Sequence, residues 1–404
     1  MLPFLAFGPS RSLRKAGRTP LRMLSYLVIM PLHLLDRKVI LPIIVDAHED
    51  IAWNTLCFGR DYLNSAYDIR RHEENGPVEA VTGVAMLGLP EWLRGGVAVI
   101  GATLFTPPER RRTSLLEQHY SDGDEAHALA LRQIEIYERM AQQSGQIKLI
   151  RTRRDLESVL KTWEGFDPSW PEDPRRDERQ IGLAYLIEGG DSIREPAEVE
   201  WWYERGVRLI GPAWAGTQYC GGTDEPGPLT AAGVELLKHM RPFNLVLDLS
   251  HMDDVAFLQA LERYDGPVIA SHSNPRALTN NSNRHLTDEM IKALIQHEGV
   301  IGTLIFNKFL LKGWEHGQPR DAAMVETVVT AIDHVCQIAG DARHAALGTD
   351  FDGGFGMKST PAGFDTVADL QIVAPELEKR GYSAADVELI MSGNWVRVLR
   401  SALG

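Results

Sequence analysis

Only three cysteines, Cys57, Cys220 and Cys336, occur in the 404 residues. They are scattered, odd in number and form no C-x-x-C pair, which excludes a disulfide framework and fits a reducing, cytoplasmic setting. Cys220 lies in a Gly-rich stretch, Tyr219-Cys220-Gly221-Gly222, and reads as an incidental loop thiol. Positive charge is also scarce: 42 Lys and Arg stand against 55 Asp and Glu, a net charge of -13. Without an overall positive field, nucleic acid is excluded as a partner. No G-x-G-x-x-G opens a helix, so the cofactor signature of an open doubly wound sheet is missing. Internal repeats and low-complexity linkers are absent. Long apolar runs are lacking too. The stretch 26–35 follows Arg11, Arg14, Lys15, Arg18 and Arg22, but Pro31 and His33 interrupt it and no small-residue cleavage site comes after it. It is neither a signal peptide nor the ~20 residues of a spanning helix, and no transmembrane segment is expected elsewhere. Residues 1–38 read as a loosely ordered extension, dispensable to the rest of the chain.

What is present is ordinary globular composition, 44% hydrophobic and 24% charged, in a chain long enough for a large core. Short β-rich runs fall at 40–45, 97–105, 147–150, 181–187, 207–210, 245–249, 267–270, 300–305 and 345–348. Amphipathic stretches lie between them, at 125–142, 230–240, 253–264, 287–297 and 322–339; in the first, Ala126, Ala130, Ile134, Tyr137 and Ala141 recur at helical spacing. Alternating β and α elements predict a parallel sheet faced by helices, and eight such strands close a TIM-type (β/α)₈ barrel. The run 147–150, the shortest, is assigned to an outlying strand. Residues 383–403 read as two closing helices split near Ser392-Gly393. Residues 39–404 are thus expected to form a single barrel domain.

The ends of these strands carry a consistent chemistry. In order they read Asp46-Ala47-His48-Glu49-Asp50, Glu188-Gly189-Gly190-Asp191, Ser250-His251, Ser271-His272-Ser273 and Thr349-Asp350-Phe351-Asp352-Gly353. Barrel active sites are assembled at this rim from several strands at once. Zinc accepts imidazole nitrogen and carboxylate oxygen, and a catalytic site keeps one position for water. Residues i and i+2 of a strand point the same way, so His48 and Asp50 can converge on one ion. Three histidines and three carboxylates suffice for two metals about 3.5–4 Å apart sharing a bridging carboxylate. Taken singly, each element has a plainer reading: H-x-D in a turn or cap, Glu188 in a glycine turn, His251 and His272 as structural histidines, Asp350 and Asp352 as an Asx-turn pair. Five strand ends offering such groups in order are hard to obtain from packing alone.

From about residue 43 to 403 the chain resembles the membrane dipeptidase (renal dipeptidase) family of zinc peptidases, in its bacterial branch. The motifs are D-A-H-E-D at Asp46, I-E-G-G at Ile187, L-D-L-S-H at Leu247, S-H-S at Ser271, G-T-D-F-D-G at Gly348 and G-N-W-V-R-V at Gly393. The resemblance implies a barrel of the metal-dependent hydrolase type holding two Zn²⁺ ions. One would be bound by His48, Asp50 and Asp350, the other by His251 and His272, with Glu188 bridging. It also places a substrate-carboxylate arginine at Arg284, although Asn283 and His285 depart from the family pattern and the preceding loop is one residue longer. Where better-known members carry a substrate-binding histidine after the fourth strand, this chain has Trp214. An indole N–H donates one hydrogen bond but never becomes cationic, so the departure bears on substrate range rather than on the metals.

The expected activity is hydrolysis of a dipeptide by a metal-bridging hydroxide, with Asp350 carrying a proton to the leaving amine and Arg284 clamping the terminal carboxylate. Trp214 is expected to line the pocket and favour apolar side chains, the plainer alternative being that it packs below while Gln218 or Tyr219 reaches the substrate. Two other readings stay open: a binuclear-zinc amidohydrolase acting on another small amide, lactone or β-lactam-like ring, and a zinc-dependent scaffold without activity. A homodimer is compatible with the sequence, which does not specify oligomeric state.

Overall fold

A computed structural model describes residues 42–168 and 173–404; the extension 1–38 lies outside the described residues. Eleven strands occur among them: β1 (Ile44–Glu49), β2 (Val97–Phe105), β3 (Ile147–Leu149), β4 (Ile181–Glu188), β5 (Val207–Gly211), β6 (Cys220–Gly222), β7 (Glu225–Leu229), β8 (Val246–Asp248), β9 (Val268–Ala270), β10 (Val300–Thr303) and β11 (Ala345–Leu347). Eight of them are joined in parallel in the order β2-β1-β11-β10-β9-β8-β5-β4. The ring closes where β2 pairs with β4, from Val99↔Gly182 to Phe105↔Glu188. β3 hangs outside the ring on β4, as the sequence predicts. The result is a (β/α)₈ barrel.

The barrel strands are buried along their whole length, because helices cover the outside and side chains fill the inside. The helices keep to their amphipathic patterns. The longest runs Gly123–Gln143 and starts where the Asp122 side chain accepts from the Glu125 N–H. Helices Asp288–Gln296 and Ala384–Glu388 begin at Thr287 and Ser383 caps of the same kind. The expected break at Ser392-Gly393 is a π-helical turn, Leu389–Gly393, between Ala384–Glu388 and Asn394–Ala402. No helix among the described residues is long and apolar enough to cross a membrane.

Two local departures from the sequence reading bear on the site. The first strand is displaced toward the mouth: its apolar run stops at Val45, yet the strand continues to Glu49. Asp46 is tolerated there because its carboxylate accepts from the Thr349 N–H (2.8 Å) and hydroxyl (2.6 Å). The Gly-rich stretch around Cys220 is not a loop but one arm of an antiparallel hairpin, β6 with β7, paired at Cys220↔Leu229 and Gly222↔Glu225.

Candidate metal centre and substrate cavity

The C-terminal ends of β1, β4, β8, β9 and β11 bring His48, Asp50, Glu188, His251, His272 and Asp350 into one buried cluster. The Glu188 carboxylate lies at its middle. One of its oxygens is 3.3 Å from His48 Nε2. The other is 3.2 Å from His251 Nε2 and 3.4 Å from His272 Nε2. The same His48 Nε2 is 3.7 Å from Asp350 and 3.9 Å from Asp50. Three groupings place their donor atoms close enough to share an ion: His48, His272 and Asp350; Glu188, His251 and His272; and His48, Asp50 and Glu188.

The chemistry of this donor set fits divalent metal. Both ring nitrogens of His48 are buried without a hydrogen-bond partner. His251 Nε2 and His272 Nε2 face each other at 3.0 Å, and both point at the same carboxylate. Burial pulls the His48 imidazole down, but Glu188, Asp50 and Asp350 outweigh it and push its pKa up to about 10. Burial and the neighbouring Glu188 raise Asp50 to about 6. Asp350 is driven well above the carboxylate range by burial, with Asp50 and Glu188 adding to it. Glu188 moves the other way despite its burial, held low by His48 and by hydrogen bonds from His251 and His272. Three carboxylates crowded with imidazoles in a buried cluster are what a cation of charge two or more satisfies.

Three of the candidate ligands, His251, His272 and Asp50, are aimed by a neighbour. The outer nitrogen of His251 meets the Thr223 hydroxyl at 2.9 Å. That of His272 meets the Ser271 hydroxyl at 2.7 Å, which donates onward to Asp248 at 2.5 Å. Such outer partners fix ring orientation and tautomer. Thr103 donates its hydroxyl to Asp50. His251 and Asp350 sit in the left-handed backbone region, at φ 66 and 59, a conformation that non-glycine residues hold only under local constraint. Gly353 is required beside them: a Cβ there would stand 2.1 Å from the Asp350 carboxylate oxygen.

A cavity of about 350 Å³ opens above the cluster and is lined by Asp50, Glu188, His251 and Asp350 from below. Arg284 and Trp214 both line it. Arg284 donates to the His272 carbonyl (2.7 Å) and the Ser273 hydroxyl (3.1 Å). Its Nε is buried and unpartnered, and among the described residues no carboxylate lies within ion-pair distance of the guanidinium. Burial lowers its pKa, while Asp350, Glu188 and Asp248 support its charge. Trp214 is half-buried, edge-on to Phe105 at 5.1 Å and 6.4 Å from the His251 ring. Gln218 and Tyr219 turn away, both donating to the Ile193 carbonyl. Sequence reasoning missed Asp248 and Thr223 as orienting groups, and the aromatic lining of Trp53, Phe105, Phe306, Phe309 and Phe355. Asp248 left a signal, a carboxylate inside the apolar run of L-D-L-S-H; the aromatics left none beyond hydrophobicity.

The family model for membrane dipeptidase, peptidase family M19, matches residues 39–403. The chain is similar to an uncharacterized protein of Klebsiella pneumoniae from the pqqA 5' region, 32% identical over 236 residues that cover 56% of this chain and 84% of that one. It is also similar to the dipeptidase tcpJ of Claviceps purpurea, 33% identical over 172 residues, 43% of this chain and 38% of that protein. Among solved structures, a metallopeptidase of Rhodobacter sphaeroides, liganded with a phosphinate mimic of the dipeptide L-Ala-D-Ala, shares the fold. Its TM-score is 0.70 at 22% identity, covering 89% of this chain and 99% of that one. The dipeptidase AC, a metallopeptidase of family M19, gives a TM-score of 0.69 at 23% identity, with coverage of 90% and 100%. The fold and the strand-end cluster thus define a barrel metallohydrolase by class. The chain belongs to the membrane dipeptidase family, peptidase family M19, and is a metal-dependent dipeptidase.

Proposed function

We propose that the protein hydrolyses free dipeptides at a centre of two zinc ions. His48, Asp50 and Asp350 would hold one ion and His251 and His272 the other, with Glu188 available to both. The observation that carries this reading is the place of Glu188, one oxygen toward His48 and the other toward the His251–His272 pair. When bound, such a pair supplies a water acidified toward pKa ~7 and positive charge for the developing oxyanion.

The protein's own groups do the rest. Arg284 receives the substrate's terminal carboxylate, since it is the buried cation of the cavity without a carboxylate partner, and a guanidinium binds carboxylate through two parallel N–H donors. That contact fixes the distance from carboxylate to scissile amide and so limits substrates to short ones. Asp350, between His48 and the cavity, carries the proton to the departing amine. Trp214 offers its ring to the substrate from the wall of the cavity. The experiment is metal analysis of the purified full chain, paired with a dipeptide-library assay on the zinc-loaded protein. Two zinc ions per chain with turnover of dipeptides, and none of C-terminally amidated ones, is expected. A loaded protein that cleaves only other amides or lactones refutes the dipeptide reading.

A further inference from the structure

Aromatic side chains crowd the cavity in two groups. Trp53, Phe105 and Trp214 form one, with ring centroids 5.2 Å apart for Trp53 and Phe105 and 5.1 Å for Phe105 and Trp214. Phe306, Phe309 and Phe355 form the other: Phe306 lies parallel on Phe355 at 4.3 Å and edge-on to Phe309 at 5.0 Å. The strand order separates them. Phe105 and Trp214 come from the ends of β2 and β5, which flank β4. Phe306, Phe309 and Phe355 come after β10 and β11, beside β9. In a closed ring of eight, β5-β4-β2 and β10-β11 are opposite arcs; Trp53 follows β1, between β2 and β11, and joins the first group through Phe105.

Arg284 breaks the symmetry. It comes after β9, and its guanidinium sits 5.7 Å from the Phe309 ring. A dipeptide with its carboxylate on Arg284 and its amide over the cluster therefore lays its C-terminal residue along the β9–β11 arc. Its N-terminal residue extends toward β2–β5. We propose that these walls are the two side-chain subsites: Phe306, Phe309 and Phe355 read the C-terminal side chain, and Trp214 with Phe105 and Trp53 reads the N-terminal one. The substrate class is then dipeptides with apolar or aromatic side chains at both positions. Flat rings present large apolar area at low entropic cost and favour stacked or edge-on partners. A cavity of about 350 Å³ is near the lower bound for small-molecule sites, so a dipeptide with two such side chains fills it.

This assignment rests on the dipeptidase reading and is tested with a panel in which one position varies at a time, Gly, Ala, Leu or Phe, on the zinc-loaded full chain. Phe355→Ala and Phe309→Ala should lower kcat/KM for C-terminal Phe and Leu about tenfold more than for C-terminal Gly, mainly through KM, with the N-terminal series scaling evenly. Trp214→Ala should give the mirror pattern, selective for the N-terminal series. Phe355→Leu should restore much of the Leu preference and less of the Phe preference, which separates contact from loss of fold. Zinc content equal to wild type in every variant excludes an effect through the metals. Equal scaling of both series in the wall variants, or the reverse assignment, overturns the subsites while the dipeptidase reading stands. Absence of turnover of every dipeptide by the wild type overturns that reading and the subsites with it.

Discussion

Replacing Glu188 by Gln keeps the size of the side chain and removes one charge from the point where both halves of the cluster meet. Its two oxygens lie 3.2–3.4 Å from three imidazole nitrogens, one on His48 and two on the His251–His272 pair. A unit charge pair about 4 Å apart at an effective dielectric of 20 is worth ~4 kcal/mol, roughly a thousandfold in affinity. An amide also turns two N–H donors toward groups that should face a cation. Glu188→Gln should therefore bind at least one ion about 10³-fold more weakly and lose activity in proportion. The assay is metal per chain by mass spectrometry after equilibration at fixed free zinc, with far-UV circular dichroism to verify the fold. Thermal unfolding with and without zinc is a second readout, because a ligand at 100 times its Kd stabilises by about 2.7 kcal/mol and the variant should gain less. Two tightly held ions and full activity in Glu188→Gln would show that this carboxylate is not shared.

Three further outcomes are expected from the same geometry. Carboxylates outweigh burial to hold the His48 proton up to about pH 10 in the metal-free cluster, and imidazole ligates only when neutral. Zinc loading between about pH 6 and 8 should thus expel protons and tighten as pH rises, by up to about tenfold per unit per proton; titration heats that do not vary with the ionisation enthalpy of the buffer would contradict this. Arg284→Ala should cut kcat/KM for free dipeptides roughly 30- to 4,000-fold, since removing one member of a buried charge pair costs about 2–5 kcal/mol, and it should erase the preference over C-terminal amides; an unchanged preference places the carboxylate elsewhere. Asp248→Asn, which weakens the hold on Ser271 and through it His272, should reduce zinc affinity about 10–100-fold with little change in relative substrate preference, as read by competition with a chelating dye.

The barrel was legible because its strands are built on short apolar runs, whereas its helices are amphipathic. That contrast even identified β3, whose flanks are polar, as the strand outside the ring. Boundaries failed where polar residues continue a strand. Asp46, His48 and Glu49 end an apolar run in sequence, yet belong to β1 because Thr349, some 300 residues away along the chain, supplies the partners that let Asp46 stay buried. The β6–β7 hairpin was hidden by its composition. The stretch Tyr219-Cys220-Gly221-Gly222 reads as a Gly-rich loop, and its partner strand carries Pro226 and Pro228, which a short two-stranded sheet made entirely of edges tolerates. The candidate ligands stood out because histidine or carboxylate recurs at five strand ends in order, although each taken singly has a plainer reading. The aromatic walls were not: Phe306 and Phe355 are ordinary apolar residues until neighbouring strands β10 and β11 set them face to face.

The two halves of the cluster are built by one device used twice. In register, Asp46 of β1 stands opposite Leu347 of β11, and its carboxylate takes the N–H and hydroxyl of Thr349, two residues on. Asp248 of β8 stands opposite Ile269 of β9, and takes the N–H and hydroxyl of Ser271, again two residues on. In each case the clamped residue immediately precedes a candidate ligand, Asp350 or His272. The geometry explains the choice of residues: a carboxylate accepts two donors at once, and Thr and Ser are short side chains that offer a hydroxyl beside their own N–H. It also explains how the chain can leave three-residue strands and turn at once toward the barrel axis. The left-handed backbone at Asp350 costs on the order of 1–3 kcal/mol, and two hydrogen bonds to a charged acceptor, at about 1.5–3 kcal/mol each, offset it. Asp46 and Asp248 are therefore better understood as the groups that set the spacing between ligands on adjacent strands than as spare ligands, although by residue type alone the acidic groups at these strand ends look alike.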